Sequence, residues 1–219
     1  MSLRIKAKFV GLVIFSAVLG GCTKEPVSPP LPIFGQREVA TKEINGQTVT
    51  DTVYHTIANF QFVDQDSAII TNNTFKDKIY IADFFFTSCR TICPKMKTQL
   101  LRVYDSIQHE PDILILSHTI DPEYDTVGLL HDFANRLGVK TEKWHFVTGK
   151  KDSIYNLAQT SYFATAMEDK TEPDGFIHSG AFLLIDKQGR IRGKYDGTIE
   201  EDVNRLLSDL KRLKQEYEK

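Results

Sequence analysis

Residues 79–94 read Ile79-Tyr80-Ile81-Ala82-Asp83-Phe84-Phe85-Phe86-Thr87-Ser88-Cys89-Arg90-Thr91-Ile92-Cys93-Pro94. The first eight are apolar at nearly every position. Both faces of an extended chain would then be apolar, which predicts a central strand over 79–86. The run stops at two cysteines, and Pro94 suits the first turn of a helix, where its missing N–H costs nothing. A buried strand therefore delivers two thiols to a helix entrance. Such an entrance carries free N–H groups and partial positive charge, which favour thiolate, and Arg90 adds a cation. A static disulfide here would stabilise little, because its entropic gain grows with the length of the closed loop. Cys89 and Cys93 read as a reactive dithiol.

Positions i and i+4 around a first helical turn bring the Cα atoms to roughly 6 Å, compatible with a disulfide. The same spacing lets two sulfurs grip one soft metal ion. Cu(I) prefers thiolate, and imidazole suits Cu(II). Two thiolates leave a copper ion under-coordinated. His178, in Asp174-Gly175-Phe176-Ile177-His178-Ser179-Gly180, is the best third donor, set against a plain loop histidine. His118 ends an expected strand and is a weaker candidate. His145 reads as a strand residue, and His55, His109 and His131 as surface groups. Met96 falls on a helical apolar stripe and reads as core. Asp121 and Asp125 read as turn and cap residues rather than groups supporting the ligands, with Asp121 the one of the pair expected to matter near the site.

Strand and helix patterns alternate after residue 75, which indicates a layered α/β domain. Following the first strand, a helix carries Met96, Leu100, Val103, Tyr104 and Ile107 on one stripe. A short strand is expected at 113–116. Asp125 or Thr126 would cap a helix bearing Leu129, Leu130, Phe133 and Leu137, closed by Gly138. A strand at 144–147, a helix at 153–162, a hairpin of 181–185 with 190–195, and a helix over 200–216 complete the order. Before residue 75 the chain reads as a β extension, with Asn45-Gly46 as a hairpin turn. The expectation is a thioredoxin-like α/β fold with an N-terminal β extension and a C-terminal β-hairpin plus helix.

The N-terminus reads differently. Arg4, Lys6 and Lys8 precede an apolar run over 9–20, too short for a comfortable membrane span but suited to a secretory signal. It closes on Leu19-Gly20-Gly21-Cys22, which resembles a bacterial lipoprotein signal with Cys22 as the lipidated residue. Residues 1–21 are the expected signal peptide, 22–50 the lipidated N-terminus and proline-rich tether, and 51–219 the thioredoxin-like domain. With Cys22 lipidated, Cys89 and Cys93 are the two remaining thiols of three cysteines. The formal net charge of −2 offers nothing to nucleic acid.

Several pieces together resemble the Sco (SenC) family of copper-handling, thioredoxin-like proteins. They are Asp83-Phe84-Phe85-Phe86-Thr87-Ser88-Cys89 through Cys93-Pro94, Ile120-Asp121-Pro122-Glu123-Tyr124-Asp125-Thr126, Trp144-His145-Phe146-Val147-Thr148-Gly149, His178-Ser179-Gly180-Ala181-Phe182, Leu184-Ile185-Asp186 and Gly189-Arg190. The resemblance implies that Cys89, Cys93 and His178 hold a copper ion. It implies delivery of copper, or of reducing equivalents, to the cytochrome c oxidase subunit with the dinuclear copper centre, or exchange with another copper chaperone. It also implies an extracytoplasmic lipoprotein on the periplasmic face of a membrane. Two positions depart from the family: Arg90 stands where Pro is frequent, and Ile177 where Asp is frequent. The alternative is an extracytoplasmic thiol-disulfide oxidoreductase using Cys89 as attacking and Cys93 as resolving thiol, without need of His178.

Overall fold

The computed structural model describes residues 29–172 and 174–218. The expected signal peptide, Cys22 and the start of the expected tether lie outside the described residues. The element order is β1 (Arg37–Ile44), β2 (Gln47–Tyr54), β3 (Gln61–Asp64), β4 (Ile69–Thr71), a 3-10 turn (Asn72–Phe75), β5 (Ile79–Phe85), α1 (Cys93–Ile107), β6 (Ile113–Thr119), α2 (Val127–Leu137), β7 (Trp144–Thr148), α3 (Lys151–Thr160), β8 (Ala166–Glu168), β9 (Phe176–His178), β10 (Ala181–Ile185), β11 (Ile191–Asp196) and α4 (Glu200–Tyr217).

Seven strands form the main sheet, in the order β11-β10-β5-β6-β7-β3-β4. The β5, β6 and β7 strands run parallel, and the flanking pairs are antiparallel. Every residue of β5 and β6 is buried, which is why β5 carries apolar side chains on both faces. Helix α1 buries Met96, Leu100, Val103, Tyr104 and Ile107, the stripe read from the sequence. Thr126 caps α2 by accepting from the Leu129 N–H, and Gly138 ends it in the left-handed region at φ 70°. Asp125 is not the cap. The thioredoxin-like α/β arrangement with its N-terminal β extension and C-terminal hairpin plus helix is present.

Three parts differ from the sequence reading. Residues 29–34 of the expected tether are docked on the domain. Arg192 on β11 donates to the carbonyls of Leu31 and Pro32, Glu216 accepts from the Leu31 N–H, and Phe34 pairs with Ile191. The drawn boundary at residue 50/51 falls inside β2. His55 is half-buried rather than at the surface, its Nε2 lying 2.8 Å from the Ser161 carbonyl and its ring against Phe163.

Candidate metal centre

Strand β5 ends at Phe85, and the chain turns through Thr87 and Ser88 to Cys89 before α1 begins at Cys93. The Ile92 N-cap has no side-chain oxygen and makes no capping bond. The first-turn N–H groups of α1 therefore have no side-chain cap beside the thiols. His178 arrives from β9, which pairs with β8 in a small hairpin that the sequence reading did not place. The reading had put His178 in an open loop; it is the last residue of a strand.

Among the described residues, Cys89, Cys93 and His178 are the cluster whose ligand atoms lie within 4.8 Å of one another. The His178 Nε2 is 3.3 Å from the Cys93 sulfur and 3.9 Å from that of Cys89. All three residues are buried, and both cysteines are free thiols. The His178 Nδ1 lies 3.3 Å from the Ser179 carbonyl. Donation of Nδ1–H to that oxygen holds the ring so that Nε2 faces the sulfurs. Phe86 packs edge-on against the imidazole and Phe176 packs on Phe86, giving the site an apolar wall.

The two thiols differ sharply. A hydrogen bond from Cys93 brings Cys89 down to about 3 against the effect of burial, with His178 and the Thr91 hydroxyl adding to the shift. Cys93 moves well up, through that same hydrogen bond, burial and the Cys89 charge. Both shifts point the same way: of the two, Cys89 is the readier thiolate and Cys93 the better keeper of its proton. Below them, the Asp83 carboxyl is buried and pushed up to about 7, burial outweighing the Ser117 hydroxyl and the nearby His178.

Asp125, not Asp121, anchors the thiol loop. Its carboxylate accepts from the Thr87 N–H at 3.1 Å, from the Thr87 hydroxyl, and from the Thr119 hydroxyl at 2.5 Å. It is fully buried, whereas Asp121 is half-buried. Asp125→Ala leaves three donors without their acceptor and is expected to destabilise the domain by about 3 kcal/mol, read as a fall in the urea midpoint. Asp125→Asn, which keeps one acceptor oxygen in place, is expected to lose less.

The departure at residue 90 has a structural consequence. Arg90 donates its N–H to the Asp174 carboxylate at 3.0 Å. A proline there would have no donor. The bond ties the thiol loop to the turn before β9, whose Ile177 offers no carboxylate to the imidazole. Asp174→Ala is expected to weaken metal binding by about fivefold, the worth of one exposed hydrogen bond of about 1 kcal/mol. Asp174→Asn retains an acceptor and is expected to stay near the parent. Competition titration distinguishes the two.

His118 does not reach the site. It is fully buried, stacked on Phe84 and edge-on to Phe60, Phe62 and Tyr162, with Nε2 unpaired; burial lowers it to about 4. His145 is tied to Asp64 at 3.0 Å, and Met96 is core, as read.

Fold and site define a thioredoxin-like protein with a buried dithiol at a helix entrance and an imidazole closing over it. The chain belongs to the SCO1/SenC family, whose sequence model matches residues 48–215. Its structure resembles that of a SCO1/SenC family lipoprotein from Bacillus anthracis str. Ames, at TM-score 0.67 and 27% identity, covering 73% of this chain and 95% of that one. It also resembles BsSco, a member of the Sco family of cytochrome c oxidase assembly proteins in which a disulfide switch is identified. There the TM-score is 0.64 and the identity 29%, over 73% of this chain and 93% of that one. Arabidopsis thaliana ScoI with copper bound matches at TM-score 0.60 and 25% identity, over 72% and 98% of the two chains.

Proposed function

We propose that this protein carries copper on Cys89, Cys93 and His178 and passes it to the dinuclear copper centre of cytochrome c oxidase or to another copper chaperone. The observation that carries this reading is the convergence of two sulfurs and one imidazole nitrogen within 4.8 Å. The donor set suits copper: thiolates favour Cu(I), and the imidazole makes Cu(II) acceptable. Three donors under an apolar wall also leave a face for a ligand from the receiving protein. The copper-bound Arabidopsis relative and the oxidase-assembly role of BsSco support the assignment.

The test is a copper titration of the reduced protein. One ion per chain with a sulfur-to-copper charge-transfer band is expected. Absence of both sinks the reading.

A second use of the same thiols is favoured by the contrast between a lowered Cys89 and a raised Cys93. Cys89 thiolate attacks a target disulfide and Cys93 then displaces the target thiolate. The target gains two electrons, and the pair here ends as a disulfide. Reduction of a target's cysteines and delivery of copper to them are compatible steps.

The protein works outside the cytoplasm, on the periplasmic face, held by lipid on Cys22. The Leu19-Gly20-Gly21-Cys22 sequence and the B. anthracis lipoprotein support this. Among the described residues no helix is long and apolar enough to cross a membrane. Cys22→Ser is the variant to fractionate: it should leave the membrane pellet, and retention there would remove the anchor.

A further inference from the structure

The β1–β2 hairpin is a two-stranded sheet of its own, joined to no other strand among the described residues. All of β1 is exposed except Ala40, which is half-buried. Val39 is 72% exposed, and Ile44, Val49 and Val53 are also exposed. An isolated two-stranded hairpin in water is marginally stable, and a free edge is a template for another strand.

The turn fixes which edge groups are free. Asn45 and Gly46 have φ of 53° and 76°, a two-residue type I′ turn between Ile44 and Gln47. In such a hairpin the flanking pair is hydrogen-bonded, and hydrogen-bonded pairs recur at every second residue. Glu38, Ala40, Lys42 and Ile44 therefore turn their N–H and C=O groups toward β2. Arg37, Val39, Thr41 and Glu43 present theirs outward.

We propose that this outward edge of β1 pairs antiparallel with the β1 of a second copy, about a two-fold axis at Ala40. The sequence Arg37-Glu38-Val39-Ala40-Thr41-Lys42-Glu43 is charge-complementary to itself in that register. Arg37 faces Glu43 of the second copy, Glu38 faces Lys42, and Val39 faces Thr41. Both charged pairs are repeated by the symmetry, and no like charges are opposed. The backbone phase agrees. Val39 with Thr41, and Arg37 with Glu43, become hydrogen-bonded pairs through the groups left free by β2. The axis falls on a non-hydrogen-bonded pair, where the strands come closest and the small Ala40 side chain fits. The outer edge of β2 offers no such charge match: an axis at Val49 opposes Thr48 to Thr50 and Gln47 to Asp51, and an axis at Asp51 opposes that carboxylate to its own copy.

The pairing leaves both thiol sites open. The hairpin is rooted where Phe34 meets Ile191 and Ile57 meets Gly189. That is the end of the sheet where Ile185 pairs with Tyr80, near the start of β5. The thiols lie beyond the other end of β5. Strand β1 lies outside the residues 48–215 that the family model matches.

The test is sedimentation equilibrium of the full chain in detergent, with single and mixed charge reversals. The parent is expected to dimerise. Glu38→Lys alone, or Lys42→Glu alone, opposes like charges twice across the axis and is expected to raise the dimer Kd by about tenfold or more. Mixed in equal amounts, the two variants restore every opposite pair and are expected to associate as tightly as the parent, which no folding defect would mimic. Circular dichroism verifies that each variant is folded. A parent that stays monomeric at all concentrations overturns the proposal and leaves the arm to a strand of another protein. A dimer indifferent to Glu38→Lys overturns it too, as do variants that weaken the dimer and fail to complement.

Discussion

His178→Ala is expected to lower the copper affinity of the reduced protein by at least about a hundredfold, beyond the tenfold to hundredfold typical of losing an outer-sphere partner. The Nε2 atom is the one non-sulfur donor of the cluster, 3.3 Å from one sulfur and 3.9 Å from the other. Its removal leaves two thiolates and an apolar wall, with no side-chain donor to complete a three-coordinate ion. The sulfur-to-copper band should weaken or shift with it. The thiol chemistry should survive. The largest influence lowering Cys89 is Cys93, and His178 contributes less. Disulfide exchange in the variant is therefore expected within about tenfold of the parent, and the cavity cost of truncating one buried ring at a strand end to be a few kcal/mol at most. Copper competition assays and an exchange assay on the same preparation separate the two roles. An unchanged copper affinity would remove His178 from the metal site and leave the dithiol with redox chemistry alone.

The route from β5 to the thiols to α1 was legible because its signals are local. An apolar run, a pair of cysteines and a proline each act within a few residues. The α2 boundaries were legible for the same reason, through Thr126 and Gly138. What escaped depends on distant partners. The β8–β9 hairpin has strands of three residues, too short for alternation to register, so His178 read as a loop residue. Residues 29–34 look like a linker by composition, yet Arg192 and Glu216 hold their backbone from more than 150 positions away. The strand expected at 113–116 runs on through Ser117, His118 and Thr119. They are buried, because Asp83 and Asp125 satisfy Ser117 and Thr119 and an aromatic box encloses His118. The sequence favours Asp121 over Asp125 near the site, and the fold overturns that by bringing Thr87 to Asp125.

Asp83→Asn is expected to remove the pH dependence contributed by a buried acid beside the site. Asp83 sits in the middle of β5, accepts from the Ser117 hydroxyl, and is backed by the Trp144 indole, which donates to that same Ser117 oxygen at 2.8 Å. Among the described residues no cation forms an ion pair with it. In the unfolded chain the carboxyl ionises near 3.8, and in the fold it keeps its proton to about 7. Between those values the native state binds more protons than the unfolded state, so this group makes stability fall as pH rises. The loss is complete above about pH 7 and amounts to about 4 kcal/mol, three pKa units at 1.36 kcal/mol each. Asparagine keeps the shape and an acceptor for Ser117 without a charge to bury. Its advantage over the parent should be small at pH 4 and grow to about 4 kcal/mol by pH 8. Cys89 titrates in the opposite sense, so the raw pH profile of either protein mixes both groups. The difference between parent and variant, each measured with its thiols reduced, isolates the carboxyl. Urea midpoints across that range supply it. A difference that stays flat from pH 4 to pH 8 would mean that Asp83 ionises normally in the fold, and that the apolar floor beneath Cys93 admits a charge.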